Sequence, residues 1–296
     1  MSIKVPMLAA GTILCALAVG WAMQTFVPEP GSRRPHADEV LSQTADQADV
    51  VSRNDTEFPD ATDLPAAPGD PASPAPGCGL RASAHAAPHA FVGISVDAPC
   101  SPGGVVTIHH SGLMFTTTAD DAGHVDVSVP AMRAQAVFIV ALPDGEGTVV
   151  SADVQGVNDW HRVALQWQGD AAFHIQAREF GADYGTPGHV WAGNPGNPAT
   201  GSTLTRLGDG KGPAPRIVEI YSFPAGSGLS GLVDISVEAE VTADTCGHPL
   251  TAEALERDAT GWMSSRDLDL DMPNCAAIGD FLVLNNFMDD LKIASN

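Results

Sequence analysis

Two spacings of apolar residues divide the chain. From Val5 to Val27 the run is predominantly apolar and no acidic or basic side chain interrupts it. From about residue 78 onward, apolar residues instead tend to fall on every second position. The clearest case is "LVDISVEAEVTA", where Val233, Ile235, Val237, Ala239 and Val241 take one face and Asp234, Ser236, Glu238, Glu240 and Thr242 the other. A period of two places alternate side chains on opposite faces of a strand, so this segment is predicted to lie half-buried in a sheet. "RDLDLDMP" repeats the scheme, with Leu268, Leu270 and Met272 set against Asp267, Asp269 and Asp271.

The same reading predicts strands in "FVGISVDAPC", "VVTIHH", "LMFTTTA", "HVDVSVP", "AVFIVALP", "GTVVSADV" and "HRVALQWQG". Ser111-Gly112, Asp120 to Gly123, Pro143-Asp144-Gly145 and Gly169-Asp170 punctuate them, and such residues favour tight turns. Short strands at this spacing predict a β-sandwich of Ig-like or prealbumin-like type over residues 78–180. Residues 181–215 are rich in Gly, Pro and Asn and read as a long loop, the kind that is usually functional or a boundary. Strands resume in "RIVEIYSFP" and end with "GDFLVLNNF" and "DLKIA", giving a second β-rich unit over 216–296. A short helix is expected within "PLTAEALERDA". The fold class is therefore all-β, behind an N-terminal hydrophobic helix and a linker.

That helix, residues 1–27, is long enough to span a bilayer or to serve as a secretory signal. Cleavage after Ala18-Val19-Gly20 or Gly20-Trp21-Ala22 is the alternative to an anchor formed by residues 5–27. Leu14 before Cys15 argues against lipid attachment. Either fate exports the rest, so a periplasmic or other extracytoplasmic location is expected. Residues 28–77 contain "ATDLPAAPGDPASPAPG", a Pro/Ala/Asp-rich stretch with too little apolar surface to fold, and read as a disordered arm.

Charge narrows the partners. Against 14 Lys+Arg stand 36 Asp+Glu, a net −22, and such a field repels nucleic acid. Four cysteines beyond Cys15, namely Cys78, Cys100, Cys246 and Cys275, fit disulfides in an oxidising compartment. They allow three pairings. The neighbour scheme, Cys78 with Cys100 and Cys246 with Cys275, closes one modest loop at each end of the folded region.

Candidate chemistry is sparse. Residues 105–130 hold His109, His110 and His124 with Asp120, Asp121 and Asp126, but adjacent histidines on a strand point to opposite faces, Asp120 and Asp121 belong to a turn, and His124 and Asp126 lie on the solvated face of a strand. Strand faces explain the cluster better than a metal site does. His85 and His89 flank Pro88, which disfavours a shared helical face. Gly226 to Gly231 matches G-x-G-x-x-G but precedes a strand, where a dinucleotide site needs a helix. The acidic face of Asp267, Asp269 and Asp271 splays along a strand and does not surround a cation. No metal and no cofactor are expected. The best candidate surface is "FHIQAREFGADYGTPGHVW", with His174, Arg178 and, as weak catalytic candidates, Glu179, Asp183 and His189. Tyr184, His189 and Trp191 are its binding candidates. Of the other tryptophans, Trp160, Trp167 and Trp262, Trp167 is expected in the core.

Two resemblances add to this. "GGVVTIHHSGLMFTTTADDAGHVDVSVP" resembles the hairpins of carboxypeptidase-regulatory-like and bacterial Ig-like sandwiches, which implies a fold and no activity. "HRVALQWQGD", "EFGADYG", "GHVWAG", "TRLGD", "VDISVEAEVTADTCG", "RDLDLDMPNC" and "GDFLVLNN" look like a family of uncharacterised exported alphaproteobacterial proteins, some named translocase. The resemblance implies an accessory place in an envelope complex and brings no catalytic residues. The expected function is non-enzymatic binding of an envelope protein or glycan by a β-sandwich region held at the membrane. The alternative is an exported hydrolase or glycan-binding protein using residues 174–191.

Overall fold

A computed structural model describes residues 77–169, 171, 173–226, 228–285, 287, 288 and 291–293. The expected helix over 1–27 and the linker over 28–77, Gly77 apart, lie outside the described residues. What is described is all-β. Its strands are β1 (Arg81–Ala87), β2 (Phe91–Asp97), β3 (Val105–His110), β4 (Leu113–Thr118), β5 (His124–Pro130), β6 (Gln135–Ala141), β7 (Gly147–Asp153), β8 (Trp160–Gln168) and β9 (Phe173–Glu179). They continue with β10 (His189–Val190), β11 (Gly196–Asn197), β12 (Ser202–Leu207), β13 (Arg216–Pro224), β14 (Gly231–Glu240), β15 (Pro249–Arg257), β16 (Met263–Asp271), β17 (Phe281–Asn285) and β18 (Leu291–Ile293). Among the described residues no helix is long and apolar enough to cross a membrane.

Four antiparallel sheets form. The first two, in the orders β1-β2-β5 and β4-β3-β6-β7, enclose Val92, Ile94, Ile108, Phe115, Phe138 and Val140. Burying each such side chain contributes roughly 1.5–3 kcal/mol. The third sheet runs β11-β12-β13-β8-β15-β16, and the fourth β10-β9-β14-β17 with β18 also on β14. Between these lie Leu165, Trp167, Tyr221 and Phe223 from one sheet and Phe173, Ile175, Ile235 and Val237 from the other. Trp167 is core, as its alternation with Leu165 predicts.

Hydrogen bonding divides the strands elsewhere than at residue 180. β8 pairs with β13 and β15, and β9 pairs with β14, so both belong with the C-terminal strands. The segment 181–215 is not one loop, for it contributes β10, β11 and β12. "PLTAEALERDA" is not helical. Its Ala, Leu and Glu favour a helix in isolation, but β8 and β16 hold it as β15 between them, and tertiary pairing outweighs propensity. The small-residue stretch "RASAHAA" forms β1, paired along its length with β2.

The two sandwiches share buried surface. Ala164, Val218, Ile220 and Leu255, from the second sandwich's third sheet, join the first core. Beside them stand Arg162 and Arg257, opposite each other across β8 and β15 and both buried. Arg162 donates to the carbonyls of Ala131, His89 and Ala90. Arg257 donates to those of Met132, Val157, Trp160 and Asp258. Burial lowers the Arg162 guanidinium to about 9, with Arg257's charge adding to the effect. These oxygens, with Asn158 Oδ1 on Arg257, take most of the donors of two buried charges that no local pattern marks, and Arg162 Nε is left without a partner among the described residues.

The disulfides follow the neighbour scheme, Cys78–Cys100 and Cys246–Cys275. The histidine-rich stretch forms strands and a turn. His109 and His110 do point to opposite faces, but His110 is inside the core and not on a solvated face. It stacks on Phe138 at 4.3 Å. His124 sits on the exposed face, bonded to Asp126 at 2.8 Å and Asp97 at 3.1 Å, and those bonds raise its pKa.

Candidate functional site

The site grows from β9. Phe173, Ile175, Ala177 and Glu179 point into the second sandwich, while His174, Gln176 and Arg178 lie on the opposite face. After Glu179 the chain leaves the sheet through Phe180 and Gly181, both in the left-handed region (φ 54° and 81°). A turn then closes where Thr186 donates to the Asp183 carbonyl through its hydroxyl at 2.7 Å. His189 and Val190 return as β10, in register with Arg178 and Ala177.

Pairing with Arg178 sets His189 on the face away from the core. Its Nδ1 accepts the Gly185 N–H at 3.0 Å, so Nε2 carries the proton and donates to Gln176 Oε1 at 2.7 Å. Gln176 passes its amide to Glu238 Oε2 at 2.8 Å. Burial pushes the His189 pKa down, which favours the neutral ring this arrangement needs. Ser236, expected to face water, is buried on this face of β14.

Two exposed aromatic rings flank His189. Tyr184 meets it edge-on at 4.9 Å, and Trp191 stacks on it at 5.7 Å with planes 9° apart. The Arg178 guanidinium lies 5.0 Å from the Tyr184 ring centre and also binds Asp234. Trp191 is fixed from behind as well. Its backbone pairs with Asn194 in a tight turn, Asn194 Nδ2 donates to the His189 carbonyl at 2.8 Å, and the indole covers Gly193. A Cβ at Gly193 would lie 2.5 Å from that ring. A groove of 480 Å³ lies between segments 185–189 and 191–198, with His189, Trp191, Asn194, Asn197 and Pro198 in its lining, while Tyr184 stands outside that lining.

The weak catalytic candidates do not converge. Glu179 and His189 occupy opposite faces of one sheet. Asp183 is exposed in the loop. Inside the sandwich Glu179 accepts hydrogen bonds from Asn197, Thr200, Ser202 and Tyr221. It thereby ties the 197–202 segment to β9 and β13. The Tyr221 hydroxyl is pushed well above its usual pKa, first by burial and then by the Glu179 charge. His174 meets Glu219, not the other candidates. Glu219, buried in the core, also accepts the Ile175 N–H at 2.8 Å, on the part of the β9 edge that β10 leaves bare.

Of the remaining candidates, Asp267, Asp269 and Asp271 are exposed along β16, and Gly226 to Gly231 leads into a strand. His85 lies on β1, whereas His89 lies in the turn after it. Among the described residues no three His, Cys, Asp or Glu side chains are placed to hold a metal ion. Sequence reasoning missed Gln176, Glu238 and Asn194. The outward positions of β9 and β14 carried the only signal for the first two.

No family model matches the chain, and no curated protein matches it. Among solved structures one match is a Ca2+-stabilised adhesin with which an Antarctic bacterium binds ice. It is 15% identical, and the match covers 70% of this chain and 72% of that one. The TM-score of that match is 0.19.

Proposed function

We propose that this chain is an extracytoplasmic, non-enzymatic binding protein of the cell envelope and that it recognises neutral glycan through Tyr184, His189 and Trp191. The observation that carries this reading is the fixed ring pair: a half-exposed indole held parallel to a buried, neutral imidazole. Stacking faces with polar amides around them suit sugar rings, whose C–H faces lie on aromatics while hydroxyls take hydrogen bonds. Asn194 and Asn197 supply such amides. Pre-fixing the rings lowers the ordering cost of binding. Two disulfides support an oxidising compartment. Retention at the inner membrane by residues 5–27 belongs to the same reading. Co-sedimentation of the full-length protein with insoluble polysaccharide tests it: Trp191→Ala should leave the protein in the supernatant.

A second reading, an accessory subunit that docks a protein, is favoured by one observation. Val137, Ile139 and Val149 are exposed by 43%, 49% and 62% on neighbouring strands of one sheet face. Clustered apolar exposure of this kind marks interaction surfaces. A photo-crosslinker at position 137 in native membranes tests it, and one protein captured there and lost when Val149→Asp is added would favour it.

A further inference from the structure

A second groove, of 700 Å³, opens where the two sandwiches meet. His89, Gln155, Asp159, Trp160, Thr200 and Pro224 line it. Its volume is in the range that small ligands occupy. Trp160 is partly exposed there and meets His89 edge-on at 5.8 Å.

Both walls are fixed from beneath. His89 and Ala90 adopt left-handed backbone (φ 60° and 55°), which is unfavourable for residues with a Cβ and persists only where the surroundings impose it. Fully buried Arg162 imposes it, donating to both carbonyls at 2.9 and 3.1 Å. Arg257 holds the Trp160 carbonyl at 3.1 Å and that of Val157 at 2.9 Å. Strained backbone held in this way clusters at ligand sites.

We propose that this junction groove is a second saccharide subsite, continuous with the Trp191 groove, so that one extended neutral glycan chain occupies both. The inference rests on the glycan reading of the Trp191 site. Chemistry selects the ligand class. Among the described residues that line the groove none is Lys or Arg while Asp159 is present, so an anionic ligand meets a like charge. An indole, a carboxylate and an amide together fit a polyhydroxylated ring. Geometry supplies the continuity. Asn197 and Pro198 line the first groove, and Ala199 and Thr200 line the second, so one short turn separates them. That turn is rigid. Gly201 N–H donates to the Asn197 carbonyl at 2.8 Å, and Glu179 grips both Asn197 and Thr200.

The test is a tryptophan-fluorescence titration of full-length protein with cello- and chito-oligosaccharides, from disaccharide to hexasaccharide. Wild type should gain about tenfold or more in affinity with length in at least one series. Trp160→Ala should lose that gain and keep wild-type affinity for the short sugars. Ala199→Arg, an exposed substitution that fills the groove without touching Trp160 packing, should do the same. Trp191→Ala should weaken binding at every length. A length gain that survives in both Trp160→Ala and Ala199→Arg overturns the junction subsite and leaves the Trp191 reading standing. Wild type binding neither series at any length overturns both.

Discussion

The imidazole of His189 lies parallel to the indole of Trp191, their centroids 5.7 Å apart and their planes 9° apart. The relationship turns a Gly- and Pro-rich loop into a fixed surface. His189 is itself fixed at both nitrogens, by Gly185 and Gln176, so the indole inherits its orientation from β9.

A substitution that moves the ring without deleting it should therefore weaken binding. Gly193→Ala places a methyl group 2.5 Å from the Trp191 ring. We expect Gly193→Ala to lose about tenfold in glycan affinity while unfolding free energy changes by about 0.5 kcal/mol or less. Binding titrations paired with urea unfolding measure the two effects separately. Unaltered affinity would show that the indole's position does not matter.

Glu179 gives a contrasting expectation. Its four donors converge on one buried carboxylate, so Glu179→Ala leaves Asn197, Thr200, Ser202 and Tyr221 to find other partners. The expected loss is roughly 3 kcal/mol, against roughly 1–2 kcal/mol for Tyr221→Phe. Chemical denaturation measures both. Equal stability of Glu179→Ala and wild type would mean that water replaces the carboxylate freely.

His110 should make the first sandwich acid-sensitive. Its Nε2 accepts the Met132 N–H at 2.9 Å and its Nδ1 donates to the Val137 carbonyl at 2.9 Å, so only the neutral ring fits. Burial lowers its pKa from 6.5 to about 4. Between those values the unfolded chain binds the proton and the folded one does not, so stability is complete above 6.5 and falls as pH drops towards 4. The full loss is roughly 3 kcal/mol. Urea unfolding from pH 7 to pH 4.5 should show this slope. His110→Gln should be less stable at pH 7, with a shallower slope.

Each disulfide closes a short loop, of 22 residues for Cys78–Cys100 and 29 for Cys246–Cys275. The double replacement Cys78→Ser with Cys100→Ser should cost roughly 3–4 kcal/mol, and the Cys246/Cys275 pair a similar amount. Thermal unfolding with and without reductant measures this: wild type should respond to reductant, and the variant lacking both bridges should not.

Much of the fold was legible because period two survives wherever one sheet face is buried and the other wet. β16 alternates as its sequence predicts, and β14 does so apart from buried Ser236; Val233, Ile235, Leu268 and Leu270 are all buried. The signal fails where residues are small, as in β1, or where both faces are covered. β13 reads "RIVEIYSFP", is buried on both faces and conceals Glu219 among apolar neighbours. Arg162, Arg257 and Glu179 were equally hidden as buried groups, because their partners lie far away in sequence. The aromatic candidates Tyr184, His189 and Trp191 were legible as a cluster. Their mutual geometry was not, since it depends on Gln176, Asn194 and the register of β10 on β9.

The most direct measurement is equilibrium binding of the full-length protein to insoluble neutral polysaccharide, comparing wild type with Trp191→Ala at matched stability. Saturable binding by wild type, lost by about tenfold or more in the variant, is the expected result. Equal binding by the two proteins, or none by wild type, would contradict a glycan-recognition surface at Tyr184, His189 and Trp191.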